Sequence, residues 1–93
     1  VTGIFENNLE EQVSVYPNPS TGVFQLDVQL ATEKEVSLTV FDVTGKAIFK
    51  MEEKPVLEEN FSIDLQGFSD GIYLIQVQAG ATVLMKRVIL RKQ

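Results

Sequence analysis

Ninety-three residues make one domain, with room for a core and little for a substrate cleft beside it. The chain has no Cys and no His, which removes disulfides, thiolate metal sites, the commonest general base and the commonest metal ligand. A net charge of −5 argues against nucleic acid, which wants a basic face.

Residues 1–12 hold Glu6, Asn7, Asn8, Glu10 and Glu11 among few larger apolar groups. That is linker composition, and the folded unit is expected over 13–93. The opening residues lack the basic flank and apolar stretch of a secretory signal. No apolar run of about 18 residues occurs, so no membrane span is expected.

Val13-Ser14-Val15-Tyr16 alternates and predicts a short strand. Residues 17–22, Pro-Asn-Pro-Ser-Thr-Gly, stop it. Two prolines fix φ and remove two donors, Asn18 before a proline is driven to extended geometry, and Gly22 is expected to close the loop with φ > 0. Phe24, Leu26, Val28 and Leu30 then face one way, with Gln25, Asp27 and Gln29 opposite, the period of a half-buried strand. Residues 31–35 read as a polar turn. Val36, Leu38 and Val40 form the next inward set, and Asp42-Val43-Thr44-Gly45 a tight hairpin turn.

Residues 46–51 return as a strand with Ala47, Phe49 and Met51 alternating against Ile48 and Lys50. Residues 52–59, with four Glu and a Pro, read as an irregular crossover with room for a helical turn. Phe61, Ile63 and Leu65 alternate again. After a Gly-bracketed turn comes a final hairpin, with Tyr73, Ile75 and Val77 inward and Ala79-Gly80-Ala81 at its tip. Its last strand is apolar on both sides: Leu84, Val88 and Leu90 on one, Val83, Met85 and Ile89 on the other. That pattern predicts cover on both faces. Seven short strands separated by regular turn signals predict an all-β fold, a seven-stranded antiparallel β-sandwich of immunoglobulin-like, Greek-key type.

Asp27, Asp42, Asp64 and Asp70 fall on solvent faces or in turns, not in a cleft that would shift their pKa for acid–base work. No Asp-rich calcium pattern appears, so neither a metal nor another cofactor is expected, and the chain is not expected to be an enzyme. Asn60-Phe61-Ser62 matches the glycosylation sequon at the start of a strand, where a chance match is the simpler account. Two features ask for a partner. One is the rigid Pro17-Asn18-Pro19 loop. The other is the end of the chain: Lys86, Arg87, Arg91 and Lys92 lie within residues 86–93, while the other 85 residues hold 4 basic and 13 acidic groups, a balance of −9.

The order of these features resembles one family. Val15-Tyr16-Pro17-Asn18-Pro19-Ser20-Thr21-Gly22-Val23-Phe24 is similar to the opening motif of the type A C-terminal sorting domains of the type IX secretion system. Val40-Phe41-Asp42-Val43-Thr44-Gly45-Lys46 is similar to their central hairpin. Leu65 with Gly71-Ile72-Tyr73-Leu74-Ile75-Gln76-Val77 resembles their penultimate motif, and residues 86–92 their terminal basic strand, with Lys86-Arg87 where many members carry two lysines.

The resemblance implies a seven-stranded sandwich and a non-catalytic address at the end of a cargo protein. Such an address is read in the periplasm, in transit to the cell surface or the exterior, by an outer-membrane translocon and its shuttle proteins. It also implies removal by a sortase-like cysteine protease, here within residues 1–12 or before them. Pro17, Asn18, Pro19, Gly22, Gly71 and Tyr73, with the basic Lys86, Arg87, Arg91 and Lys92, become the expected recognition residues. A homodimer through the terminal edge strand is a further expectation. The rival reading is an immunoglobulin- or fibronectin-like accessory module, such as a carbohydrate-binding domain. It would want exposed aromatics.

Overall fold

The computed structural model describes residues 12–92; apart from Gln12, the expected linker lies outside the described residues. Five strands follow one another: β1 (Val13–Tyr16), β2 (Val23–Phe41), β3 (Ala47–Asp64), β4 (Gly71–Ala79) and β5 (Thr82–Leu90). They form one antiparallel sheet in the order β1-β2-β4-β5, with β3 also paired to β2.

β2 organises the sheet. Its first part pairs with β1, from Val13↔Val28 to Tyr16↔Gln25, and with the end of β3, from Val23↔Asp64 to Gln29↔Glu58. Its second part pairs with the start of β3 and with β4, where Val36 faces Ala79 and Phe41 faces Leu74. Nineteen residues in a straight strand would run roughly 60 Å. The molecule is 44 Å in its longest dimension, so β2 bends. The ladder slips between Gln29 and Lys34, an irregularity of the kind that bends a strand.

The expected seven strands are therefore corrected to five. Residues 31–35 and 52–59, read as a turn and a crossover, are parts of β2 and β3, paired at Lys34↔Val56, Glu35↔Pro55 and Val36↔Lys54. This ribbon is held by its main-chain ladder rather than by burial, and of residues 31–35 and 52–59 only Val56 is buried. A strand with solvent on both faces has no apolar period to mark it. Pro55 is tolerated because, among the described residues, β3 has only β2 as a strand neighbour, and an edge can lack a donor.

Most of the other period-two readings hold. Phe24, Leu26, Val28, Leu30, Val36, Leu38, Val40, Phe61, Ile63, Leu65, Tyr73, Ile75, Val77, Val88 and Leu90 are all buried in one cluster. Each such large apolar side chain contributes about 1.5–3 kcal/mol relative to exposure. Residues 46–51 depart from clean alternation: Ile48, Phe49 and Met51 all pack partly on the core and Ala47 is exposed. Register shifts between Val36 and Leu38 and between Val40 and Phe41 rotate the facing strand there. The last strand corrects another expectation. Its outer side is not covered, since Val83 is 52% and Met85 45% exposed.

The Asp42 turn is as expected. The Asp42 carboxylate accepts from the Thr44 amide (2.9 Å), the Thr44 hydroxyl (2.6 Å) and the Lys46 amide (3.1 Å). Gly45 has φ +88°, a conformation that favours glycine. These hydrogen bonds, the Thr44 hydroxyl first, hold the Asp42 carboxyl below the usual carboxylate range.

Candidate functional site

The Pro-Asn-Pro loop lies along the outer edge of β5. β5 is last in the strand order, with β4 on one side only. Its other edge is met by the loop, residue by residue. The Asn18 side-chain amide donates from Nδ2 to the Arg87 carbonyl (3.2 Å), and its Oδ1 accepts from the Ile89 N–H (2.9 Å). Two residues on, the Ser20 N–H donates to the Ile89 carbonyl (3.0 Å) and the Ser20 carbonyl accepts from the Arg91 N–H (2.8 Å). Ser20 and Leu90 thus form a parallel bridge. Four successive edge groups of the terminal strand are satisfied this way, which caps an edge that would otherwise offer itself to another strand.

Local chemistry explains why the loop can do this. Each proline keeps a main-chain donor out of the competition. The buried Ser20 hydroxyl accepts from the Gly22 N–H (3.1 Å) and donates to the Val23 carbonyl (2.7 Å), closing the turn into β2. Gly22 does not take a positive φ, which corrects that expectation. What it supplies is closeness: a Cβ there would sit 2.5 Å from Gln66 Cγ, and its carbonyl accepts from the Leu65 N–H at 2.7 Å.

The end of the chain is held from a second side, where the Lys92 N–H donates to Asp70 Oδ1 at 3.1 Å. Asp70 belongs to the turn before β4. In that turn the Tyr73 hydroxyl donates to the Ser69 carbonyl. Backbone geometry at Arg91 and Lys92 is therefore set by two loops, while both side chains stay exposed.

The ten expected recognition residues divide accordingly. Pro17, Asn18, Pro19, Arg87, Arg91 and Lys92 are exposed and meet at one end of the sheet. Arg87 stands on the solvent side of β5, and Arg91 follows just past the end of the strand. Lys86 lies on the opposite side, in step with Leu84 and Val88, and is half-buried. Gly22 is buried, and Gly71 is half-buried at the start of β4. Tyr73 is only 5% exposed, out of surface reach. Sequence reasoning overlooked Ser20 and Asp70 as holders of the basic end. A Ser two residues before a Gly, with its hydroxyl free to bond the following amide, was a visible turn signal for the first.

The carboxylates nearest this end serve the backbone. Asp42 and Asp70 border a shallow depression with Val43, Phe68 and Tyr73, but Asp42 holds its own turn and Asp70 holds Lys92. The arrangement presents a shaped, basic surface, with its fixed parts on hydrogen-bonded main chain. A family model described as secretion system C-terminal sorting domain matches residues 14–91. No curated protein matches the chain.

Proposed function

The chain belongs to the family of C-terminal sorting domains of the type IX secretion system, and from that membership we propose a folded, non-catalytic address read on the surface shared by the Pro-Asn-Pro loop and β5. A sorting domain of this kind interacts with the type IX machinery and belongs to a protein passing to the cell surface or outside. In our reading the translocon and its shuttle proteins engage the domain during periplasmic transit. A sortase-like cysteine protease then separates it from its cargo within or before residues 1–12.

The observation that carries the proposal is the clasp of Asn18 and Ser20 on residues 87–91. It joins two distant stretches of sequence into one surface whose shape is set before any partner arrives. Preorganisation lowers the ordering cost of binding. The exposed cations of Arg87, Arg91 and Lys92 stand out from an otherwise acidic chain and favour an acidic reader.

The finer reading of the fold, two layers in an immunoglobulin-like Greek-key sandwich, is supported by the bend of β2 and by the single core to which both its parts contribute. The accessory-module reading has less behind it. Phe24, Phe61 and Tyr73 are buried, Phe49 and Phe68 pack on the core, and Tyr16 alone is an exposed aromatic among the described residues.

The test fuses the chain behind a periplasmic reporter in a bacterium that has a type IX system. The native fusion should reach the surface or medium. The variant Arg87→Glu/Arg91→Glu/Lys92→Glu, with unchanged melting, should stay in the periplasm. Normal export of that variant would overturn the proposed reading surface.

A further inference from the structure

The loop covers β5 only from Arg87 onward. Main-chain groups of Arg87, Ile89 and Arg91 turn away from β4 toward Asn18 and Ser20. Strand geometry repeats every two residues, so Val83 and Met85 turn their N–H and C=O groups to the same edge. Among the described residues no strand lies there. We propose that this uncovered edge is a strand-pairing site. It takes a short extended segment of an export-machinery protein, with a carboxylate placed where the segment leaves the edge beside Arg87. The inference rests on the sorting function proposed above.

The other edges of the same sheet show what is unusual. β3 is an edge along its whole length and carries Glu52, Glu53, Lys54, Pro55, Glu58 and Glu59, charges and a proline of the kind that deter pairing. β1 is four residues long and runs into Pro17. At Val83 and Met85 the edge has neither guard: the side chains are apolar, 52% and 45% exposed. The apolar strip continues across the outer face to Ile72, paired with the partly buried Ile89.

Unpaired donors and acceptors at strand spacing select an extended backbone, with affinity from main-chain bonds and selectivity from alternate side chains. The turn at Gly80 bounds the site on one side, and Asn18 bounds it on the other. An incoming strand must therefore leave within about 13 Å. Its exit lies next to Arg87, whose guanidinium is exposed and makes no ion pair among the described residues. A carboxylate at the exit fits that charge. A strip so short falls well below the ~1,200 Å² that stable self-association commonly buries, which favours one contact within a larger docking over a second copy of this chain.

The reporter fusion tests this with two edge variants. Val83→Glu/Met85→Glu changes only exposed side chains, and Met85→Pro removes an outward N–H. Export should fall at least tenfold with either, while the native fusion is exported. Unchanged export with the double variant would sink the edge site and leave the sorting function standing; failure of the native fusion would sink both. If the purified domain dimerises through this edge, and the double variant abolishes dimers without altering export, the occupant is a second copy and the proposal is overturned. A readout that needs no variant is hydrogen exchange on the native domain with purified translocon and shuttle protein. Exchange at Val83 and Met85 should slow at least tenfold on binding, while the already bonded Ile89 and Arg91 amides change little. Unaltered exchange at Val83 and Met85 in the bound domain would overturn strand pairing.

Discussion

The side chain of Asn18 takes the place of a strand beside Arg87 and Ile89: its amide donates to one main-chain group and accepts from another, at 3.2 and 2.9 Å. Residues 69 and 71 positions apart in sequence are thereby locked in register. An amide is the one short neutral side chain that both donates and accepts in a planar pair.

Replacement of Asn18 tests that lock. Asn18→Ala removes two exposed hydrogen bonds, at about 0.5–1.5 kcal/mol each. Denaturant unfolding should show a loss of about 1–3 kcal/mol. Asn18→Asp keeps the acceptor but turns a carboxylate oxygen toward the Arg87 carbonyl, so it should not restore stability. Wild-type stability in both variants would show that the pair is incidental.

Gly22 offers a sharper steric test. Gly22→Ala places a methyl 2.5 Å from Gln66 Cγ and should cost about 1–3 kcal/mol by overpacking. Gly67 has open space around its missing Cβ, so Gly67→Ala should be near neutral. Adding Gln66→Ala to Gly22→Ala should recover most of the loss. Failure of that rescue in a double-mutant cycle would move the cause elsewhere.

Shortening the last strand tests its part in folding. Val88 and Leu90 are fully buried, so a chain ending at Arg87 forfeits about 3–6 kcal/mol, at 1.5–3 for each side chain. That loss is of the order of the whole stability of a small domain. Calorimetry should find no cooperative transition near the native temperature; a normal transition would mean the hairpin end is dispensable to the fold.

The basic end should divide by strand face. Reversals at Arg87, Arg91 and Lys92 change exposed groups and should each stay within about 0.5 kcal/mol. Lys86→Glu turns a carboxylate into the half-buried row of Leu84 and Val88, so it should cost more than any of them, about 1–3 kcal/mol. Equal losses at Lys86 and Arg87 in parallel melts would contradict the assignment of faces.

Acid should act on the central hairpin through Asp42. Its folded pKa is depressed, chiefly by the Thr44 hydroxyl. Its stabilising effect is therefore complete above the unfolded-state pKa and is lost as pH falls through the lower folded value. The stability difference between wild type and Asp42→Asn should shrink steadily on acidification below the ordinary carboxylate range. A difference constant with pH would mean that the charge of Asp42 plays no part.

Much of this molecule was legible because burial imposes a period. Wherever one face of a strand meets the core, as at Phe24-Leu26-Val28 or Tyr73-Ile75-Val77, the alternation names the inward residues directly. Legibility failed where burial stops. Residues 31–35 and 52–59 are strand through the main-chain pairing of β2 with β3 rather than through burial, and nothing in a polar string announces its partner. It failed again at Gly22, where the need for glycine comes from Gln66, a residue more than forty positions away. The basic end was legible as charge, yet not as faces. Only the register of β5 shows that Lys86 stands with the core row and Arg87 with the solvent.

By itself, then, the sequence determined an antiparallel all-β domain, its core list, its turn at Asp42 and two stretches that ask for a partner. Local sterics and the period of buried side chains are written along the chain, and reading them needs no neighbour. The tertiary structure decided that those two stretches are one surface, that two strands run on through polar segments, and that among the described residues no strand covers the edge at Val83 and Met85. Those facts depend on which main-chain groups meet across long loops. Hydrogen bonding of that kind is set by pairing in space, and a backbone amide is the same in every residue but proline.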